Sequence, residues 1–122
     1  MSLKDLHANM AALKLKARRT KYGNRKVVKN GETFDSVREY ERHLVLLDMQ
    51  AKGDIERLER QPKYPLVVNG VKVGTYIADW WYWHNRTEEG IAEDSKGFRT
   101  PEYRLKIKLA RVLYPNVRFY ES

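Results

Sequence analysis

Cysteine is absent from the 122 residues, which excludes disulfide bonds and thiolate metal ligands. Long apolar runs are also absent, since no stretch approaches the ~18 residues that a membrane-spanning helix requires. The first residues contain no apolar stretch suited to a secretory signal peptide. We therefore expect a cytoplasmic protein that does not enter a membrane.

Acidic residues are the scarcer charged type: 16 Asp and Glu stand against 24 Lys and Arg, which gives a net charge of +8. The basic residues cluster near the two ends of the chain, and such clusters favour a surface that binds a polyanion, most commonly nucleic acid. The simpler alternative is a solvated basic surface or tail. The candidate DNA contacts in these clusters are Arg18, Arg19, Lys21, Arg25, Lys26, Arg99, Arg104 and Lys106.

The first half of the chain carries clear local signals within a composition that is 42% hydrophobic, enough for the core of one domain. We expect residues 1–20 to form a basic helix or arm and residues 21–122 to form the domain. Asn30-Gly31 predicts a hairpin turn between Arg25–Lys29 and Glu32–Phe34. Ser36 and Glu39 have the spacing of a capping box and predict the start of a helix that continues to Gly53.

The second half predicts a mixed α/β arrangement. After a connector, the β-branched and aromatic content predicts a strand at Tyr64–Val68, a turn at Asn69-Gly70, one long or bent strand at Val71–Trp83 and a short strand at Ile91–Lys96. Thr100 caps a second helix, which has Pro101 at its first position. A last strand follows at Val117–Tyr120. We expect one mixed sheet flanked by helices.

Two carboxylates interrupt this pattern. Asp79 lies in an apolar run, where an unpaired carboxylate is unfavourable. If the flanking strands pair as a hairpin, Asp79 can lie beside Asp94, and strand alternation places Lys96 on the same face as Asp94 and Glu93 on the other. Neighbouring carboxylates repel unless a cation lies between them, and their oxygens suit Mg²⁺ or Mn²⁺. Glu39 from the helix is a third candidate ligand, and Lys96 is placed to stabilise phosphate charge.

These residues have the order of a known nuclease motif. An upstream helical Glu, then an Asp, then Asp-x-Lys about fifteen residues later resembles the PD-(D/E)XK nuclease superfamily. The blocks FDSVREYERHL, RQPKYPL, TYIADWWY, EDSKGFRT and YRLKIKLARVLYP resemble, in order, a family of small and mostly phage-encoded proteins assigned to that superfamily. The resemblance covers residues 21–122. It departs from the superfamily pattern at Ala78, where a proline usually precedes the first Asp.

The resemblance implies a restriction-endonuclease-like core with the order α-β-β-β-α-β. It implies that Glu39, Asp79 and Asp94 hold Mg²⁺ or Mn²⁺ and that Lys96 is the catalytic lysine. Gln61 and Ser36 are expected to contact the metal ligands or the substrate. Other assignments stay open for these residues: Glu39 as a capping partner only, with Glu41 as its rival; Asp79 as half of an ion pair; Asp94 and Lys96 as an exposed strand face or a simple i, i+2 ion pair; and Glu93 in place of Asp94.

The implied activity is that of an Mg²⁺-dependent DNA endonuclease that acts on branched DNA in recombination, as Holliday junction resolvases do. The resemblance also implies a phage protein acting in the host cytoplasm. An exposed face of the aromatic run Trp80–Trp83, together with the resolvases, predicts a homodimer. The alternatives are a phage strand nickase or end-processing nuclease, and a non-catalytic DNA-binding module on the same fold.

Overall fold

The computed structural model describes residues 18–19 and 25–122, so the helix or arm predicted over residues 1–20 falls outside the described residues except for Arg18 and Arg19. The chain divides into two compact units, Met1–Lys52 and Gly53–Ser122. The predicted mixed α/β class is confirmed. The described helices are α1 (Val37–Ala51) and α2 (Pro101–Leu113). The described strands are β1 (Arg18–Arg19), β2 (Arg25–Lys29), β3 (Glu32–Phe34), β4 (Ile55–Arg60), β5 (Lys63–Val68), β6 (Val71–Ile77), β7 (Trp80–His84), β8 (Glu89–Asp94) and β9 (Val117–Glu121).

The N-terminal unit begins with an antiparallel sheet of order β1-β2-β3. The turn between β2 and β3 has positive φ at both Asn30 (51°) and Gly31 (79°). Asn and Gly tolerate this conformation, and it matches the twist of a two-residue hairpin. The predicted hairpin is therefore confirmed.

Helix α1 begins as the capping box predicts. The Ser36 hydroxyl accepts a hydrogen bond from the Glu39 N–H at 3.1 Å. In return, the Glu39 carboxylate accepts one from the Asp35 N–H at 2.5 Å, one residue earlier than in the usual reciprocal pair. The helix packs through Tyr40 and Leu44 on Phe34, with the Phe34 and Tyr40 rings edge to face at 4.9 Å.

The C-terminal unit is built on a four-stranded sheet of order β4-β7-β8-β9. Strands β4, β7 and β8 are antiparallel to their neighbours, and β9 joins β8 in parallel after the crossover through α2. Strands β5 and β6 form a separate hairpin whose turn, Asn69-Gly70, again has positive φ values of 49° and 80°. The described strands thus form three sheets rather than the single sheet that the sequence predicted.

Two predicted boundaries differ for physical reasons. Strand β4 replaces the predicted connector: it is an edge strand, exposed and rich in charge, with a register shift at Arg57 (φ 57°), so it lacks apolar alternation. The predicted strand Val71–Trp83 is interrupted at Ala78 and Asp79, because its apolar run continues through a change of sheet. Even when β6 and β7 are counted as one strand, the element order after β3 is α-β-β-β-β-α-β, one strand more than the predicted α-β-β-β-α-β, because β4 is added.

An aromatic core lies between the strands of this unit and α2. Thr100 caps α2 by accepting a hydrogen bond from the Tyr103 N–H at 3.1 Å, and Pro101 begins the helix. Helix α2 packs on β5, β6 and β9. The buried core residues are Tyr64, Leu66, Tyr76, Ala78, Ala92, Ile107, Ala110 and Phe119. Each large apolar side chain buried in this way contributes about 1.5–3 kcal/mol to folding.

The aromatic run of β7 divides between the two faces of the sheet. Trp80 and Tyr82 are buried, and Trp81 and Trp83 are partly exposed with the Arg57 guanidinium 6.0 and 5.8 Å from their rings. The face that was predicted to be fully exposed is therefore half-covered. No helix within residues 26–122 is long and apolar enough to cross a membrane.

Candidate metal centre

Asp79 and Asp94 lie beside each other where β7 and β8 meet the β5–β6 hairpin. The register pairs Trp80 with Glu93, and the Asp79 N–H donates to the Glu93 carbonyl at 3.0 Å. The next position along each strand therefore brings the two aspartates together. Both are buried, with 7% of Asp79 and 0% of Asp94 exposed.

The four carboxylate oxygens of this pair have different surroundings. Asp94 Oδ2 accepts a hydrogen bond from the Tyr76 hydroxyl at 2.6 Å, and Asp79 Oδ2 accepts one from the Ser95 N–H at 2.8 Å. Asp94 Oδ1 is fully buried and has no hydrogen-bond partner among the described residues. A buried polar atom left without a partner is unfavourable and needs an explanation, such as an ion.

The environment favours the protonated form of Asp94. The pKa of its carboxyl is raised from 3.8 to about 7, mainly by burial and also by hydrogen bonding and repulsion with Asp79. The Tyr76 hydroxyl and the Lys96 ammonium act in the opposite direction on this pKa. Close carboxylates that share a proton are a known apo arrangement, and a divalent cation can replace that proton.

Lys96 lies next to this pair although β8 ends two residues earlier. Its Nζ is 3.4 Å from Asp94 Oδ1 and 5.6 Å from the centre of the Tyr103 ring. Strand alternation, from which its face was predicted, does not determine the position of this side chain, because residues 95 and 96 are not in a strand. Side-chain contacts place the ammonium instead.

A chain of polar contacts runs from Asp94 towards β9, and no local sequence pattern predicts it. Burial and the nearby Asp94 raise the pKa of Tyr76, so its hydroxyl keeps its proton and donates a hydrogen bond to Asp94. Tyr103 packs on Tyr76 at 6.2 Å, and its hydroxyl donates to Glu121 at 3.1 Å. Arg99 and Arg111 also bind Glu121, at 2.5 and 3.5 Å. A tyrosine in an amphipathic element is usually read as core, so no local pattern marks these roles.

Gln61 lies directly across from Asp79. Its N–H donates to the Asp79 carbonyl at 2.9 Å, and the side chain is exposed. The residue has φ 54°, a left-handed conformation that a non-glycine residue adopts at an energetic cost. This strained position, together with the bond from Ala78 N–H to the Pro62 carbonyl at 3.2 Å, joins the β4–β7 and β5–β6 ladders at the site.

The remaining predicted site residues have other surroundings. Glu39 and Ser36 belong to the N-terminal unit, where they cap α1, and the metal-binding role of Glu39 stays a prediction. Glu41, its rival, is on the same helix. Glu93 points to the sheet face opposite Asp94, as alternation predicts, and accepts a hydrogen bond from the Tyr82 hydroxyl at 2.6 Å.

The donor set fits a hard cation. Mg²⁺ is commonly held by one or two carboxylates and completes its shell with water and substrate phosphates. Asp79 and Asp94 supply two such carboxylates, and Asp94 Oδ1 is the oxygen that lacks a hydrogen-bond partner among the described residues. Within the described residues no group of three or more His, Asp or Glu is arranged to hold a metal ion. The structure thus brings together two of the three predicted ligands.

The predicted DNA contacts differ in their surroundings. Arg104 is exposed on α2, whereas Lys106 pairs with Glu102 at 3.0 Å and Arg99 pairs with Glu121. Arg18 and Arg19 lie on β1, Arg25 and Lys26 lie on β2, and Lys21 falls outside the described residues. The two basic clusters lie in different units.

Comparison with known proteins gives a family and no described relative. Neither the curated proteins nor the solved structures contain a match to this chain. The model of one protein family, described as a protein of unknown function (DUF1064), matches residues 19–121. That span includes Glu39, Gln61, Asp79, Asp94 and Lys96, and on this match the chain belongs to the DUF1064 family.

Proposed function

We propose that this protein is a metal-dependent DNA endonuclease whose centre is the pair Asp79 and Asp94 with Lys96 beside it. One observation carries the proposal: Asp94 Oδ1 is fully buried, lacks a hydrogen-bond partner among the described residues, and lies 3.4 Å from the Lys96 ammonium. A purely structural carboxylate at this depth would be expected to have both oxygens satisfied. A carboxylate that exchanges a proton for a cation would not.

Each residue has a distinct task under this proposal. Asp79 and Asp94 hold Mg²⁺ or Mn²⁺, and such an ion, when bound, polarises the phosphodiester and lowers the pKa of the attacking water. Tyr76 fixes Asp94 through its hydroxyl, so that Oδ1 keeps its direction. The Lys96 ammonium offsets charge that develops on the phosphate. Water forms the new bond to phosphorus, the ester P–O bond breaks, and the leaving oxygen takes up a proton.

Branched DNA is the proposed substrate. The net charge of +8 suits a polyanion, and the exposed Arg104 on α2 is free of any described ion pair that would neutralise it. A homodimer, which the resemblance to junction resolvases implies, would present two such centres to two strands.

The test is cleavage of a labelled four-way junction beside a linear duplex of matched sequence, with Mg²⁺ or Mn²⁺. We expect paired symmetric nicks in the junction from the wild type and none from Asp79→Asn. The matched control is Asp54→Asn, the same substitution at an exposed aspartate of the same unit, which should cut at the wild-type rate. Equal cutting of both substrates would retain the nuclease and remove the preference for branched DNA.

A non-catalytic DNA-binding module is the second candidate. It is favoured by the absence, within the described residues, of a third side chain at the carboxylate pair that could complete a metal site. In the same assay this candidate predicts that the wild type binds the junction, as seen by a gel shift, and cuts neither substrate with either metal. If the wild type binds the junction without cutting it, and Asp79→Asn leaves that binding unchanged, the second candidate is established.

A further inference from the structure

Lys96 depends on side-chain contacts for its position. It lies beyond the end of β8, in a segment without regular structure, and its side chain is about one-third exposed (32%). One contact is Asp94 Oδ1 at 3.4 Å. Another is the face of Tyr103, whose ring centre is 5.6 Å from Nζ, within the range of a cation–π interaction.

These two contacts respond differently when a cation is bound. Asp94 Oδ1 is the oxygen that a cation would use, so the ion pair with Lys96 weakens once the carboxylates are occupied. The bound cation and the Lys96 ammonium also repel each other, because both are positively charged. The Tyr103 ring is unaffected by that exchange, because it is uncharged and is not a ligand. The ring therefore still holds the ammonium near the carboxylates when a cation is bound.

Tyr103 is itself firmly held. Its N–H donates to the Thr100 hydroxyl at 3.1 Å at the start of α2. Its hydroxyl donates to Glu121 at 3.1 Å, and Arg99 and Arg111 bind that same carboxylate. The ring also packs against Tyr76, the donor to Asp94. One side chain therefore links the lysine, the aspartate and β9.

We propose that Tyr103 is a positioning residue: its ring holds the Lys96 ammonium beside the carboxylate pair, and it keeps doing so when that pair binds a divalent cation. The inference rests on the proposed function for its effect on rate, and the contact itself can be tested without any cleavage. The ring, rather than the hydroxyl, is the part that acts on Lys96.

The contact is tested by NMR on protein whose lysines carry ¹³C-methyl groups, a modification that keeps their charge. The Lys96 signal is assigned by its loss in Lys96→Arg. We expect it to be shifted upfield by the Tyr103 ring current, to remain so in Tyr103→Phe and with Mg²⁺ added, and to lose the shift in Tyr103→Leu. An unchanged signal in Tyr103→Leu, or loss of the shift on adding Mg²⁺, would overturn the proposal.

A matched control separates this role from general packing. Tyr114 belongs to the same core, packs on Tyr64 at 5.2 Å and donates its hydroxyl to the Pro65 carbonyl at 2.7 Å. Tyr114→Leu should leave the Lys96 signal in place. If Tyr103→Leu does not fold, Tyr103→Met removes the ring and keeps more of the volume, and the same two outcomes apply.

Cleavage then tests the consequence for rate. We expect Tyr103→Leu to lower kcat roughly tenfold with little change in KM, and Tyr103→Phe to restore most of it. In a Lys96→Met background Tyr103→Leu should have no further effect, since Tyr103 acts through the lysine. A full additional loss in that background would contradict the positioning role. If the wild type cuts no DNA, the proposed function fails, and the NMR result still decides whether Tyr103 holds Lys96.

Discussion

Glu93 and Asp94 are neighbours in the chain, both are fully buried at 0% exposure, and each accepts a tyrosine hydroxyl at 2.6 Å. They nevertheless face opposite sides of the sheet. Asp94 meets a second carboxylate and an ammonium, whereas Glu93 meets Tyr82 on the side of Trp80. Burial and a tyrosine partner are therefore shared features, and the neighbouring Asp79 is what distinguishes the candidate site.

The largest expected difference between the two residues is in catalysis. Asp94→Asn should slow DNA cleavage by about a thousandfold or more, equivalent to about 4 kcal/mol, because it removes a metal-holding charge. Glu93→Gln keeps an acceptor for Tyr82 and should cut within about threefold of the wild type once folded, a change of under 1 kcal/mol. Rates are compared on one labelled junction, and circular dichroism verifies folding. A slower Glu93→Gln than Asp94→Asn would reverse the assignment of the site.

The next difference concerns pH. The folded chain keeps a proton on Asp94 up to its raised pKa of about 7, whereas the unfolded chain releases it near the ordinary value of 3.8. The metal-free protein should therefore become less stable as pH rises between these values, by roughly 1.4 kcal/mol per unit of pKa difference, and level off above them. Urea unfolding in EDTA at several pH values measures this.

Asp94→Asn is the control for that dependence, because it has no proton to release. Its unfolding free energy should vary less between pH 4 and pH 7, a window that follows from the raised pKa of about 7. The wild type should also bind Mn²⁺ more weakly towards the acid end, since the cation must displace the proton. A wild type as flat as Asp94→Asn would show that Asp94 is ionised throughout.

The smallest expected difference is between variants of Tyr76 and Tyr82, the tyrosines that donate hydrogen bonds to these two carboxylates. Tyr76→Phe and Tyr82→Phe each leave a buried carboxylate oxygen without its donor and should each lower the unfolding free energy by about 1–3 kcal/mol. Only Tyr76→Phe should move the pH dependence to higher pH, because the Tyr76 hydrogen bond lowers the pKa of Asp94. Urea titrations of both variants across pH test this. Equal pH profiles would mean that Tyr76 contributes packing alone.

Local chemistry explains which parts of the fold were predictable. The turns at Asn30-Gly31 and Asn69-Gly70 and the caps at Ser36 and Thr100 depend on residues within a few positions of one another, and all four are present in the structure. Strand β4 was missed because an edge strand need not alternate apolar and polar residues. The sequence allowed a bend within Val71–Trp83 but did not locate it at Ala78 and Asp79, because both sides of the break are apolar.

The candidate site likewise contains features that local sequence signals predict and contacts that they do not. The pairing of Asp79 with Asp94 follows from a hairpin, and the placement of Glu93 on the opposite, buried face follows from alternation, so both were predictable from the sequence. Tyr76, the partner of Asp94, comes from β6 and lies 18 residues from it in the sequence. Tyr103, the partner of Lys96, comes from α2 and lies seven residues from it. Such contacts depend on tertiary packing, and no local spacing encodes them. The placement of Glu39 as a metal ligand remains a prediction from the motif.

The parallel pairing of β9 with β8 has a consequence for the order of events during synthesis. Residues Val117–Glu121 complete the sheet beside β8, and the Ser122 N–H donates to the Asp94 carbonyl at 2.9 Å. A nascent chain that has left the ribosome only as far as α2 still has an open edge along β8, and Glu121 is missing beneath Tyr103. The carboxylate pair therefore acquires its final surroundings only after residues 117–122 have left the ribosome, and until then Asp79, Asp94 and Lys96 lack the neighbouring contacts that β9 supplies.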